Sequence, residues 1–261
     1  MKRRKIRKKD FRRGIYILPN IFTSLNIFCG FYAIISSIDG KYIAASIAIM
    51  IAVVFDTLDG KIARITKTTS RFGVEYDSLS DLISFGLAPG LMIYLWALKP
   101  LGRIGWLAAF LFMTCGALRL ARFNTQTGSI SGEYFVGLPI PAAAGMLAAT
   151  ILFCHRFDIA VDANPVVILV MLYMLAFLMV STIKYNSFKK NSEISRTMNF
   201  NVLVTAILIL IFIAAQPPIA LFLLGIAYIV SGPVTTIRYH KLIKQKEAEF
   251  HETDMHDTKP V

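Results

Sequence analysis

The sequence predicts an all-α, polytopic membrane helix bundle of about eight transmembrane helices. Three observations carry this prediction. The 261-residue chain is 56% hydrophobic with mean hydropathy +0.60, above the ~45–50% apolar fraction of soluble domains. Apolar runs of helical length recur from residue 18 to residue 239. Lysine and arginine collect in alternate connections between those runs.

The expected spans, in order, are 18–38, 42–64, 77–98, 104–122, 139–155, 164–183, 202–215 and 217–239. Most approach the ~20 residues that cross a hydrocarbon core. The first lacks an obvious cleavage site and belongs with the others, so it reads as a span rather than a removed signal. Gly60 in the second run, and Gly86, Pro89 and Gly90 in the third, are tolerated in a bundle where neighbouring helices re-satisfy the backbone. The seventh run is short and ends at Pro217 and Pro218, which blurs its border with the eighth. Cys29, Cys115 and Cys154 lie in apolar runs at spacings that suit neither zinc nor a disulfide framework, and are expected to be buried hydrophobes.

Charge sets the orientation. With the N-terminus inside, internal segments hold 24 of the 28 basic residues, nine of them within residues 1–13. The outside keeps Lys41, Lys99, Arg103 and Arg156. This positive-inside bias predicts a multi-pass protein of the cytoplasmic membrane. It divides the chain into a basic cytoplasmic segment (1–13), a transmembrane domain (14–240) and a polar cytoplasmic tail (241–261). The N-terminal run KRRKIRKKDFRR borders a span, so membrane lipids with anionic headgroups are its expected partner and nucleic acid is not.

One stretch violates the apolar pattern: Asp56-x-x-Asp59-Gly60-x-x-Ala63-Arg64, eight residues, then Gly73-x-x-x-Asp77-x-x-x-Asp81. An intramembrane carboxylate costs roughly 3 kcal/mol on insertion scales. Asp56, Asp59, Gly60 and Ala63 share one helix face, and Gly73, Asp77 and Asp81 another. A short loop near residues 66–70 makes the two helices antiparallel neighbours, so the acidic stripes face each other. A hard divalent cation relieves the repulsion, and no soft ligand is near. Gly60 and Ala63 leave a floor without bulk, and Arg64 offers a fork for phosphate oxygens. Together these point to a diphosphate ligand with a lipid tail. Acids that merely cap helix ends, or that line a transporter or channel, explain the charges but not Gly60, Ala63 and Arg64 together.

These residues resemble the signature of the CDP-alcohol phosphotransferases, D-x2-D-G-x2-A-R-x8-G-x3-D-x3-D, at every fixed position. The Leu18–Asn20 start of the first helix, Ser80–Gly86, Arg119–Asn124 and Gly137–Pro141 are similar to the phosphatidylserine synthase branch, and the likeness covers most of residues 14–240. The resemblance implies the family's helical fold and a homodimer. It implies a reaction of CDP-diacylglycerol with L-serine that gives phosphatidylserine and CMP, supported by Mg²⁺ or Mn²⁺, two ions in all. It further implies that Asp56, Asp59, Asp77 and Asp81 hold metal, and that Asp81 also accepts the serine hydroxyl proton. Gly60, Ala63, Arg64 and Gly73 would bind the CDP-lipid.

The acceptor pocket is less constrained. Arg119 and Arg122, at i and i+3, and Asn124 stand at the cytoplasmic end of the fourth helix, where a guanidinium fork suits a carboxylate. Glu75 suits an ammonium or the cytosine amine. Asn20 and Asn26 suit either the headgroup site or interhelical hydrogen bonds. The same aspartates also admit glycerol 3-phosphate or an inositol phosphate as acceptor, diacylglycerol with a soluble CDP-alcohol donor, or an archaeal ether-lipid donor.

Overall fold

The computed structural model describes residues 3–66, 70–126, 134–159, 164–186 and 200–236. Within them lie α1 (Arg3–Ile38), α2 (Tyr42–Ile65), α3 (Arg71–Leu101), α4 (Arg103–Gln126), α5 (Ile140–Arg156), α6 (Pro165–Val180), α7 (Phe200–Ala215) and α8 (Pro217–Thr236). Five of these are long and apolar enough to cross a membrane: α2, α3, α8, the Pro19–Ile38 part of α1 and the Arg103–Thr125 part of α4. The apolar helices α5 and α6 are shorter, at 17 and 16 residues. The multi-pass bundle is therefore as expected. The tail 241–261 lies outside the described residues, and α8 is described only to Thr236. The basic segment is continuous with the first span, because α1 begins at Arg3.

Interhelical hydrogen bonds give the directions. Asn26 and Ser84 meet, as do Thr23 and Ser80, and Ser24 and Tyr76. With Gly73 beside Asn20 at one end and Ser84 beside Asn26 at the other, low numbers meet low and high meet high, so α1 and α3 run parallel. Tyr42 Oη donates to the Leu95 carbonyl, and Ser46 lies against Met92. There the numbers oppose each other, so α2 runs antiparallel to α3. The first three helices thus alternate in direction, as successive spans require. Ala33, Ile49, Phe85, Met92, Leu147 and Leu172 are fully buried between helices. Phe28, Phe31, Phe110, Val167 and Phe177 are exposed. An apolar exterior on an apolar core is the pattern of a helix bundle in lipid.

Three features depart from the expected elements. First, α3 starts at Arg71, six residues before the expected 77, because the Ser70 side chain caps it by accepting from the Gly73 N–H at 3.0 Å. Asp77 and Asp81 therefore sit within a helix rather than at its start. Second, α3 widens into π-type turns over Leu82–Leu87 and Tyr94–Leu98. Pro89 has no N–H to donate, and the Ala88 N–H reaches back to the Ile83 carbonyl. Third, a small antiparallel ribbon pairs β1 (Tyr134–Val136) with β2 (Lys184–Asn186). It ties the α4–α5 connection to the α6–α7 connection, so both lie on one side of the bundle. Gly137 turns the chain from β1 toward α5 with φ +78°, and a Cβ there would meet the Met179 carbonyl oxygen. The Gly137–Pro141 stretch is thus a fold element.

Gly30 brings α1 onto α3 so closely that a Cβ would stand 2.7 Å from the Ser84 Cα. Small residues permit such backbone approach in membrane bundles. Gly145, by contrast, has nothing within 4 Å of a built Cβ. Gly30→Ala is expected to lower stability by about 1–3 kcal/mol through forced separation of the helices. Gly145→Ala is expected to be neutral or slightly stabilising. Thermal unfolding in detergent checks both, and equal midpoints would refute the close-packing account.

Candidate active site

The site is built where a polar stripe on α1 meets the acidic stripes of α2 and α3. Asn20, Thr23, Ser24 and Asn26 recur at helical spacing in an otherwise apolar run. Thr23 and Asn26 are buried. Thr23 Oγ1 donates to Asp59 Oδ2 at 2.9 Å, and Asn26 Nδ2 donates to Asp81 Oδ1 at 3.3 Å. Ser80 and Ser84 donate in return to the Thr23 and Asn26 carbonyls. The first helix therefore grips one acid of each neighbouring helix. Asn20 and Asn26 had two open readings; Asn26 stands against Asp81 in the manner of both. Thr23 was not singled out, although a hydroxyl three residues before an asparagine on one helix face is a readable signal.

Oxygens of Asp56, Asp59 and Asp77 all lie within 4.8 Å of one another. The Asp56 and Asp81 carboxyls are within hydrogen-bonding reach, which joins the fourth acid to the cluster. At such a separation two like charges repel by on the order of 3 kcal/mol at an effective dielectric near 20. Among the described residues no lysine or arginine forms an ion pair with any of the four; the ion pair present is Lys41–Asp39. Asp77 Oδ1 is buried and has no hydrogen-bond partner. An all-oxygen donor set with an uncompensated charge and an orphaned oxygen fits a hard divalent cation.

The other expected residues are distributed around this cluster. Gly60 and Ala63 continue the Asp56–Asp59 face of α2 and are half-buried. A Cβ on Gly60 would meet the Arg64 guanidinium at 3.7 Å, and Arg64 Nε donates to the Gly60 carbonyl at 2.8 Å. The exposed Arg64 fork is thereby folded over the small-residue floor. Gly73 lies against Ser70 and Asn20 at the start of α3. Arg119 is within electrostatic reach of Asp81, and its Nε is buried with no hydrogen-bond partner. Asn124 Nδ2 donates to Ser78 Oγ at 3.0 Å, beside Asp77 in sequence. Arg122 is half-buried on α4, and Glu75 is exposed, about 200° around the helix from Asp77.

Residues 16–180 match the family model for CDP-alcohol phosphatidyltransferase. The chain belongs to the CDP-alcohol phosphatidyltransferase family. CDP-alcohol phosphatidyltransferases generally use divalent metals, and this chain carries an acidic cluster of Asp56, Asp59 and Asp77 that could hold one. Relatives at this level come from bacteria and archaea. A CDP-diacylglycerol–serine O-phosphatidyltransferase of Helicobacter pylori is 36% identical over 209 residues, which cover 80% of this chain and 87% of the relative. An archaetidylserine synthase of Methanothermobacter thermautotrophicus is 41% identical over 170 residues, 64% of this chain and 69% of the relative. A Mycobacterium tuberculosis protein with the same name as the first is 39% identical over 160 residues, 57% of this chain and 55% of the relative.

The geometry separates direct ligands from the groups that hold them. Asp59→Asn and Asp77→Asn are expected to weaken Mn²⁺ binding by well over tenfold. Thr23→Val, which frees Asp59 to turn, is expected to weaken it about tenfold, in the range of outer-shell partners. Electron paramagnetic resonance titration of the purified protein with Mn²⁺ measures all three. Unchanged affinity in Asp77→Asn would remove that residue from the metal site.

Proposed function

We propose that this protein transfers the phosphatidyl group of CDP-diacylglycerol to L-serine, giving phosphatidylserine and CMP. The observation that carries the proposal is the convergence of the Asp56, Asp59 and Asp77 oxygens within 4.8 Å, in a chain whose bacterial and archaeal relatives bear serine-transferase names. The archaetidylserine synthase among them supports a site that reads the CDP diphosphate and headgroup rather than the lipid chains.

Asp56, Asp59, Asp77 and Asp81 would hold two Mg²⁺ or Mn²⁺ ions. When bound, such ions neutralise charge developing on the phosphoryl oxygens and the leaving group. The remaining work falls to protein groups. Gly60, Ala63 and Gly73 leave room for the nucleotide against the backbone of α2 and α3, and Arg64 receives diphosphate oxygens. Asp81 takes the proton of the serine hydroxyl as its oxygen attacks the β-phosphorus. The phosphorus–oxygen bond to CMP breaks, and CMP leaves with the electron pair. The bond from Asn26 holds one Asp81 oxygen, so the carboxylate has little freedom to lose when it takes the proton. Arg119, Arg122 and Asn124 form the acceptor side, with Arg119 meeting the serine carboxylate; Glu75, on the far face of α3 from Asp77, is left out of it.

The cluster opens to the cytoplasm, where serine and metal ions are dissolved. The placement of 24 of the 28 basic residues on that side supports this orientation. We assign the protein to the cell membrane as a homodimer, the state its family resemblance implies.

Purified protein given CDP-diacylglycerol and Mn²⁺ is expected to release CMP with L-serine and not with glycerol 3-phosphate or inositol. Release with another alcohol alone would end the serine reading. Asp81→Asn is expected to lower turnover by 10³-fold or more, a loss on the order of 4 kcal/mol of transition-state stabilisation, while CDP-diacylglycerol binding persists. Near-normal turnover would exclude Asp81 as the base.

A further inference from the structure

Two buried polar atoms of opposite hydrogen-bonding sense lie in the neighbourhood of Asp81, and one has no role in the chemistry above. Asn26 is 0% exposed. Its Nδ2 is committed to Asp81 Oδ1, and its Oδ1 has no hydrogen-bond partner. The two atoms belong to one planar amide, so the orphaned acceptor stands beside the Asp81 carboxylate. The backbone there is pinned as well, since Ser84 Oγ donates to the Asn26 carbonyl at 2.9 Å. The second atom is Arg119 Nε, a buried donor without an acceptor, on a side chain within electrostatic reach of Asp81. A buried polar atom left unpaired carries a penalty of about 1–3 kcal/mol, and more when charged. Among the described residues one further side-chain atom is orphaned in this way, Asp77 Oδ1, and it belongs to the metal cluster.

We infer that Asn26 is a specificity-determining residue of the acceptor site, whose Oδ1 receives the α-ammonium of a zwitterionic hydroxy amino acid. The carboxylate of that acceptor meets Arg119, and its hydroxyl meets Asp81. The inference rests on the serine reading and deepens it. An unpaired acceptor beside a base and a guanidinium with an unpaired Nε within electrostatic reach of it match the two poles of a zwitterion. The amide is also the fitting group for the ammonium. It accepts a hydrogen bond without adding a fifth negative charge beside four aspartates. Glycerol 3-phosphate and inositol offer the Asn26 carbonyl only neutral hydroxyl donors and no cation, and 3-hydroxypropionate offers nothing in the ammonium's place. A site of this kind rejects the analogue that lacks the donor far more strongly than a pocket that measures size alone.

The test compares L-serine with 3-hydroxypropionate, which has the same carboxylate and hydroxyl but no ammonium. CMP release is measured for the wild type, Asn26→Ala and Asn26→Ser, with CDP-diacylglycerol binding as the check that each variant is folded. The wild type is expected to favour serine by about 10³-fold or more in kcat/KM. In Asn26→Ala that preference narrows by about 10–100-fold, mainly through a higher serine KM, with the KM for CDP-diacylglycerol within about threefold. Asn26→Ser is expected to fall between the two. A variant that loses both acceptors equally, with the preference unchanged, shows Asn26 acting only on Asp81 and overturns the inference. A wild type that uses 3-hydroxypropionate within about tenfold of serine overturns it irrespective of the variants. CMP release with a different alcohol and none with serine is a separate outcome, because it removes the serine reading itself.

Discussion

Mutual repulsion among four carboxylates is the constraint around which this bundle is organised. Asp56, Asp59, Asp77 and Asp81 come from two helices that an apolar environment would prefer to keep free of charge. Their convergence is possible because each helix supplies something other than bulk. The first helix supplies hydroxyl and amide donors, the second small residues, and the third a polar stripe that continues inward past Asp81 to Ser84. Among the described residues no lysine or arginine forms an ion pair with the cluster, which leaves its charge to a cation of the divalent kind the family generally uses.

The first helix is more than a membrane anchor in this arrangement. Its contacts with α3 run from Ser24 and Tyr76 through Thr23 and Ser80 to Asn26 and Ser84. The Gly30 contact closes that series with backbone against backbone. Sites on rigid elements hold geometry better than sites on loops. Here the two acids that carry protein hydrogen bonds from α1, Asp59 and Asp81, are each held by a side chain on an uninterrupted helical stretch.

Much of this was legible in the sequence because hydrophobic run length and acid spacing are strong, local signals. The spans and the facing stripes follow directly from them. Other features carry weaker signals. Residues 71–76 interleave Phe72, Val74 and Tyr76 with Arg71, Gly73 and Glu75 and form no apolar run, so the start of α3 is visible only through the Ser70 cap. Strands of three residues show no periodicity, and the β1–β2 ribbon joins segments far apart in the chain. Thr23 also donates to the Pro19 carbonyl at 3.2 Å, the ordinary habit of a threonine in a membrane helix, and this hides its contact with Asp59. Gly137 in the Gly137–Pro141 stretch looked like a family mark, and its positive φ shows the backbone reason for it.

The Thr23–Asp59 bond spans 36 residues, whereas the Asn26–Asp81 bond spans 55. A ribosome adds roughly 5–20 residues per second, so the second helix enters the bilayer a second or more ahead of the acids on the third. The donor for Asp59 lies within the α1–α2 pair, so that bond needs no residue of the third helix. Asp59 is thus the acid whose partner is available earliest in the order of synthesis, and Asp81 waits for the third helix to meet Asn26.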